Sequence, residues 1–342
     1  MASIITACSE FMLPGSKNIK VSGRTMDWKD HLDSSFIVVP RGTQIHSYYD
    51  GEDKNKVPFK QGMKWVTEYG YVGINVFHLP LLFDGLNEYG LSAALLFLKD
   101  VKYPQPDNNP ENNISMIYLL QYILGKCKTV KDVIKFLNKD KVTVCGLHAL
   151  ELSGNRNIHL IIHDSTGKSL VLEAEDGVIK QYHDDDASVL TNSPFLHWHL
   201  TNRRNYCNLT SKDPSTEIPW TSFGHGSGMQ GLPGDSSPPS RFVRLSVFRT
   251  NSPISNTVHE EIQQAFHIIN RVTLVNGENK VDRTQWEVVR DHINRIYYLR
   301  TNQNQSIRSI NLNRIDFSAN KKYNPLPLDT GKLHEDITPF FS

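Results

Sequence analysis

The strongest constraint on how this chain folds is the order in which its hydrophobic period changes. Short β-prone runs come first, at residues 19–22 after a Pro14-Gly15 turn, at 35–40 and at 69–77. A polar stretch around 50–62 reads as a loop between them, and residues 84–98 carry the turn Asn87-Glu88-Tyr89-Gly90 followed by an apolar run that reads as a buried strand. From 114 to 124 the period lengthens to that of an amphipathic helix ending at Gly125, and Thr129 offers an N-cap to a second helix over VKDVIKFLNK. Strands return at 159–163, 169–174, 178–182 and 188–191 as a meander. Residues 202–240, rich in Ser, Pro and Gly, read as a long loop, and a third helix over 258–272 follows the caps Asn256 and Thr257. Strands at 286–289, 296–301 and 307–312 precede a Pro-rich tail. This order predicts an α+β fold in which helices cover stacked antiparallel sheets.

The 342 residues, 39% of them apolar, suffice for a full core, and no seam divides them. The 37 basic and 36 acidic residues are interspersed and leave a net charge of +1, which argues against a nucleic-acid partner or an anionic membrane surface and fits a small, weakly charged substrate. The apolar runs are too short to span a bilayer, so no membrane insertion is expected. Cys8, Cys127, Cys145 and Cys207 are widely spaced and read as reduced thiols, with Cys127 and Cys145 in the core. MASIITA lacks a charged n-region, so the chain as written reads as cytoplasmic; were there an upstream start, these residues would be the remnant of an export signal.

Chemistry points to Cys8. If residues 1–7 were removed as a short propeptide, Cys8 would carry a thiol and a free α-amine on one residue, a nucleophile beside its own base. Arg24 would favour the thiolate, and Asp27 would accept hydrogen bonds from the ammonium. Taken alone, a near-terminal cysteine is more often a small hydrophobe and Arg-x-x-Asp a common surface pairing. Histidine pairs at 159/163 and 197/199 have ligand-like spacing, but no cysteine or carboxylate completes a set, and neither a metal nor a cofactor is expected. Asp184-Asp185-Asp186 reads as a solvated turn, and the glycines between 224 and 228 lack the strand-to-helix context of a phosphate loop.

Gly23-Arg24-Thr25-Met26-Asp27-Trp28 behind a near-terminal Cys resembles the choloylglycine hydrolase family, cysteine N-terminal-nucleophile hydrolases that include bile salt hydrolases and penicillin V acylases. Asp84-Gly85-Leu86-Asn87-Glu88-Tyr89-Gly90-Leu91, Leu190-Thr191-Asn192-Ser193-Pro194, and Gly231-Leu232-Pro233-Gly234-Asp235 with Ser240-Arg241-Phe242 are similar to further family motifs in the same order. The resemblance implies a four-layer αββα sandwich, one domain over residues 8–342, and a homo-oligomer, in this family a tetramer. It implies a small N-acyl amide as substrate, cleaved at a linear C–N bond. It assigns Asn192 to the oxyanion, although an Asn shaping the Asn-Ser-Pro turn is the plainer reading, and Arg241 to holding Asp27 and Cys8 in register, against a surface Arg beside Arg244. Met26, Trp28 and Phe97 would line the acyl pocket, or be ordinary core. Bile salt hydrolases usually carry Asn where this chain has Phe97, which leaves only a backbone N–H as second oxyanion donor and points to the penicillin V acylase-like, Gram-negative branch. The rival readings are a hydrolase pairing Cys8 or Cys207 with a histidine, and a silent acyl-binding protein.

Overall fold

The computed structural model describes residues 8–50, 59–139, 141–147, 157–213, 225–278, 282–336 and 338–341. The expected propeptide, residues 1–7, lies outside them. The hairpin β1 (Cys8–Met12) and β2 (Val21–Trp28) is followed by β3 (Ser35–Val39), the arm β4 (Gln44–Asp50) and β5 (Phe59–Val66), and the meander β6 (Tyr71–Asn75), β7 (Leu82–Asn87) and β8 (Ser92–Phe97). Then come β9 (Asn113–Ser115), α1 (Met116–Lys126), α2 (Val130–Leu137), β10 (Thr143–Cys145), β11 (Ile158–His163), β12 (Ser169–Glu175), β13 (Val178–His183) and β14 (Val189–Leu190). The remainder is α3 (Leu196–Arg203), α4 (Pro238–Asn251), α5 (Val258–Ile269), β15 (Arg283–Asp291), β16 (Ile296–Thr301), β17 (Arg308–Asn311) and β18 (Leu326–Pro327).

Two antiparallel sheets form the middle of the molecule. The first has the order β14-β1-β2-β15-β16-β17 and the second β13-β12-β11-β8-β7-β6-β3-β18. Helix α1 packs on β7 and β8 of the second sheet, and α4 and α5 pack on β1, β2 and β15 of the first, which makes four layers. The inner strands β1, β2, β6, β7 and β8 are buried on both faces, as strands covered by a sheet on one side and helices on the other must be.

Local signals explain several elements. Thr129 and Asp132 form a capping box at the start of α2, and Thr257 and Glu260 do the same for α5. The region 50–62, read as loop, differs: β4 and β5 flank it as a two-stranded arm whose residues are largely exposed or half-buried, so they show no clean apolar alternation. Within 202–240, α3 extends to Arg203 and α4 starts at Pro238 behind Ser237. Ile114 and Ser115, read as the start of the first helix, instead belong to β9, which pairs in parallel with β10, and the helix begins at Met116.

Candidate active site

Cys8 opens β1 and stands opposite Met26 across the hairpin, only 3% exposed, with its sulfur 3.6 Å from the Met26 sulfur. Alternation along the strands puts Cys8 and Glu10 on the same face as Arg24, Met26 and Trp28, toward the second sheet, and puts Ser9, Thr25 and Asp27 on the helix-covered face. Burial pushes the Cys8 thiol up, and Asp27 adds to this; Arg24, Arg241 and the Asp27 backbone N–H pull it down.

Asn192 lies just beyond β14, the edge strand that pairs with β1. Its Oδ1 accepts from the Cys8 backbone N–H at 2.6 Å and from an Arg241 Nη at 2.9 Å, and its Nδ2 donates to the Phe97 carbonyl at 2.8 Å. An amide nitrogen has two N–H groups, so one donor remains beyond the Phe97 bond. Phe97 and Ile158 are paired across β8 and β11, and the Leu98 N–H bonds Asn157 O at 2.9 Å. Phe97 is thus in a non-hydrogen-bonded pair, and its own N–H and C=O both point away from β11, the carbonyl to Asn192.

Arg241, fully buried in the first turn of α4, donates to the Cys8 carbonyl and Ser9 Oγ at 2.6 Å each and to Ser236 O at 3.0 Å. It therefore holds Cys8 directly by its backbone, whereas none of its hydrogen bonds among the described residues goes to Asp27, which acts on it through space. The Asp27 carboxylate accepts instead from Thr284 at 2.6 Å and Thr25 at 3.1 Å, and burial pushes it up to about 7. Arg24 sits behind Met26: it reaches the Met26 sulfur at 3.6 Å, the carbonyls of Phe83 and Leu95, and Asp84 at 2.8 Å. Trp28 meets Phe77 edge-on with ring centroids 6.2 Å apart.

The structure thus gathers Cys8, Asn192, Arg241, Met26 and the Phe97 backbone into one corner, with Arg24 behind it and Asp27 on the reverse of the same strand. Three groups escaped sequence reasoning. His199 donates from Nε2 to the Asn192 carbonyl at 2.8 Å, and burial pushes its imidazole down to about 4, so it is a neutral prop. Thr284 holds Asp27, and Asp84 holds Arg24. Asp84 stood in a motif already noted, His199 only in a pair weighed as metal ligands, and Thr284 in neither. The alternative nucleophile Cys207 is exposed with its sulfur toward Asn208, while His159 pairs with Glu173 and the His163 Nδ1 with Ser169, so those histidines are engaged away from a thiol.

Two antiparallel sheets between helices, with a near-terminal cysteine at the head of an inner strand, define the N-terminal-nucleophile hydrolase class. Residues 8–324 match the family of linear amide C–N hydrolases described as the choloylglycine hydrolase family, and the chain belongs to it. It is a cysteine amidohydrolase acting on linear amide C–N bonds. The match starts at Cys8. The chain is 30% identical to a bile salt hydrolase/transferase of Clostridium perfringens over 93% of its length and 97% of that protein's, and 24% identical to a penicillin V acylase of Pectobacterium atrosepticum over 93% and 84%. Among solved structures, a variant of the conjugated bile acid hydrolase of Clostridium perfringens superposes with a TM-score of 0.76 at 30% identity, covering 93% of this chain and 97% of that one. The penicillin V acylase of Agrobacterium tumefaciens gives 0.74 at 26%, covering 92% and 89%.

Proposed function

We propose that the mature protein starts at Cys8 and hydrolyses N-acyl amides with a flat apolar acyl group through a Cys8 thioester. The observation that carries this is the convergence on Cys8 of Asn192 at its nitrogen, Arg241 at its carbonyl and Met26 at its sulfur. Once the Ala7–Cys8 bond is broken, the α-amine takes the thiol proton and the sulfur attacks the substrate carbonyl carbon. The free Asn192 N–H and the Phe97 backbone N–H would stabilise the oxyanion. The ammonium then gives its proton to the departing amine as the C–N bond breaks. Water attacks the thioester carbonyl, its proton passes to the α-amine and on to the leaving sulfur, and the acid departs.

Substrate choice rests on the apolar groups near the thiol. Met26 and the Trp28–Phe77 pair, with a Phe at 97 in place of a polar residue, favour phenoxyacetyl-type penicillins, then N-acyl homoserine lactones, then conjugated bile acids, the order of the penicillin V acylase-like branch. The test is an intact mass of active enzyme followed by steady-state kinetics on one amide of each type. A first residue of Cys8 and highest kcat/KM on the phenoxyacetyl amide are expected. Turnover by a chain that retains Met1 ends the α-amine mechanism, and a preference for taurine or glycine conjugates moves the enzyme to the bile-salt side.

A further inference from the structure

Of the motif Asp84–Leu91, Asp84 is the residue that touches Arg24 behind the Cys8 corner. Asn87 ties β7 to the end of α1 by donating to the carbonyls of Leu124 and Cys127, and Gly90 lies at φ +79° with the His292 carbonyl where a Cβ would stand, so both are architectural. Asp84 is different. It comes from the second sheet, is fully buried, and meets three groups of the first: Arg24 at 2.8 Å, Arg290 through both carboxylate oxygens, and the Tyr297 hydroxyl. Arg290 in turn donates to Glu10 at 2.7 Å and Ser22 at 3.0 Å.

We propose that Asp84 is a positioning residue that acts on the Cys8 thiol through Arg24, so that a carboxylate of one sheet sets how much positive charge reaches the nucleophile of the other. The inference rests on Cys8 being that nucleophile. Arg24 has no hydrogen bond to the thiol described here; the Met26 sulfur lies between them, 3.6 Å from each. Its influence is therefore electrostatic, and depends on where the guanidinium is held and how far it is neutralised. Two main-chain carbonyls fix one edge of it, and Asp84 supplies the only carboxylate among its described hydrogen-bond partners. The charges facing the thiol are Arg24 and Asp27 on β2 and Arg241 on α4. Those around Asp84 are Arg24, Arg290 on β15 and Tyr297 on β16, with Glu10 of β1 behind Arg290 and His163 of β11 at 3.5 Å from Glu10.

Two substitutions that push this carboxylate's pull on Arg24 in opposite directions make the test. The rate of Cys8 labelling by iodoacetamide, read on the Cys8 peptide by mass spectrometry, is followed from pH 5 to 10 in the mature enzyme. Asp84→Asn keeps an acceptor oxygen for Arg24 but removes the neutralising charge, so the labelling midpoint moves down. Tyr297→Phe removes a donor competing for the same carboxylate; Asp84 then leans harder on Arg24, and the midpoint moves up by a smaller step. Both shifts vanish in an Arg24→Leu background. General loosening of the core would move both variants one way and would survive the loss of Arg24. Should Asp84→Asn not fold, the upward step in Tyr297→Phe and its disappearance without Arg24 still decide. Unmoved midpoints, shifts of one sign, or shifts independent of Arg24 overturn the proposal. A Cys8 that labels normally while Cys8→Ala still hydrolyses amide overturns the nucleophile assignment instead, since labelling does not depend on turnover.

Discussion

The first and the middle residue of β1 meet opposite electrostatic problems. At Cys8 the cation Arg241 is bonded to neutral oxygens: the carbonyls of Cys8 and Ser236, the Ser9 hydroxyl and the Asn192 amide. Two residues on, Glu10 enters a cluster in which acids meet arginines directly, Glu10 on Arg290, and Asp84 on both Arg290 and Arg24. The second region is balanced and tied across both sheets. The first keeps a positive charge whose direct partners do not cancel it, which is what a thiolate and then an oxyanion require of their surroundings.

The largest effect expected belongs to the front of the site. Cys8→Ala abolishes turnover and Cys8→Ser leaves at most a small remnant, because a hydroxyl is far less ionised than a thiol near neutrality. Near-normal turnover in Cys8→Ala would transfer the nucleophile elsewhere, with Cys207 first to be checked.

Next comes the balanced region. Arg290→Met leaves Glu10 and Asp84 buried without their shared cation, which should destabilise the fold by about 3–5 kcal/mol. Chemical denaturation measures it. If the loss in folded enzyme falls mainly on kcat while stability holds, the cluster is part of the reacting machinery and the contrast between the two regions fails.

Asn192→Ala should lower kcat by roughly a hundred- to a thousandfold, about 2.7–4 kcal/mol, with KM little changed, as for an oxyanion donor. Because Asn192 also accepts from Cys8 and Arg241, its melting temperature is measured alongside. A mutant that melts early but keeps kcat in the folded fraction makes Asn192 a turn residue and leaves the oxyanion to backbone donors.

What the sequence made legible follows the range of the interactions. The β1–β2 hairpin could be read because Pro14-Gly15 and its β-prone flanks are adjacent, and α2 and α5 because each capping box closes within three residues. Helix α4 was hidden by the Ser/Pro/Gly content before it, although Ser237 followed by Pro238 is a helix-start signature that weighs more than composition. Arg241 was recognised by resemblance, but its bonds to Cys8 and Asn192 join residues 233 and 49 positions apart, and no local pattern encodes them. Asp27 shows the same limit. It reads as an acceptor for the Cys8 ammonium, but strand alternation, which decides that its side chain lies on the face opposite the thiol and accepts from Thr284, shows only once β1 and β2 are paired.

Asp27 supplies the finest test of the contrast. Its direct partners are two hydroxyls, so burial outweighs the through-space pull of Arg241 and raises the carboxyl from 3.8 to about 7. Between those values the folded state holds a proton that the unfolded chain has released, so this group stabilises the fold fully below pH 3.8 and loses that contribution as pH rises through 7. Asp27→Asn has no such proton, and its stability relative to wild type should rise by about 1.4 kcal/mol per pH unit across the window and level off above it. His199 and His292, pushed down to about 4 by burial, carry the opposite slope, since their contribution is lost as pH falls from 6.5 to 4. Both proteins share it, so it cancels in the difference. Paired denaturation curves at pH 4.5, 6 and 7.5 read the result. A flat difference would mean that Asp27 is ionised throughout and neutralises Arg241, in which case the front of the site is balanced like the region behind it and the thiolate must draw on Arg24 alone.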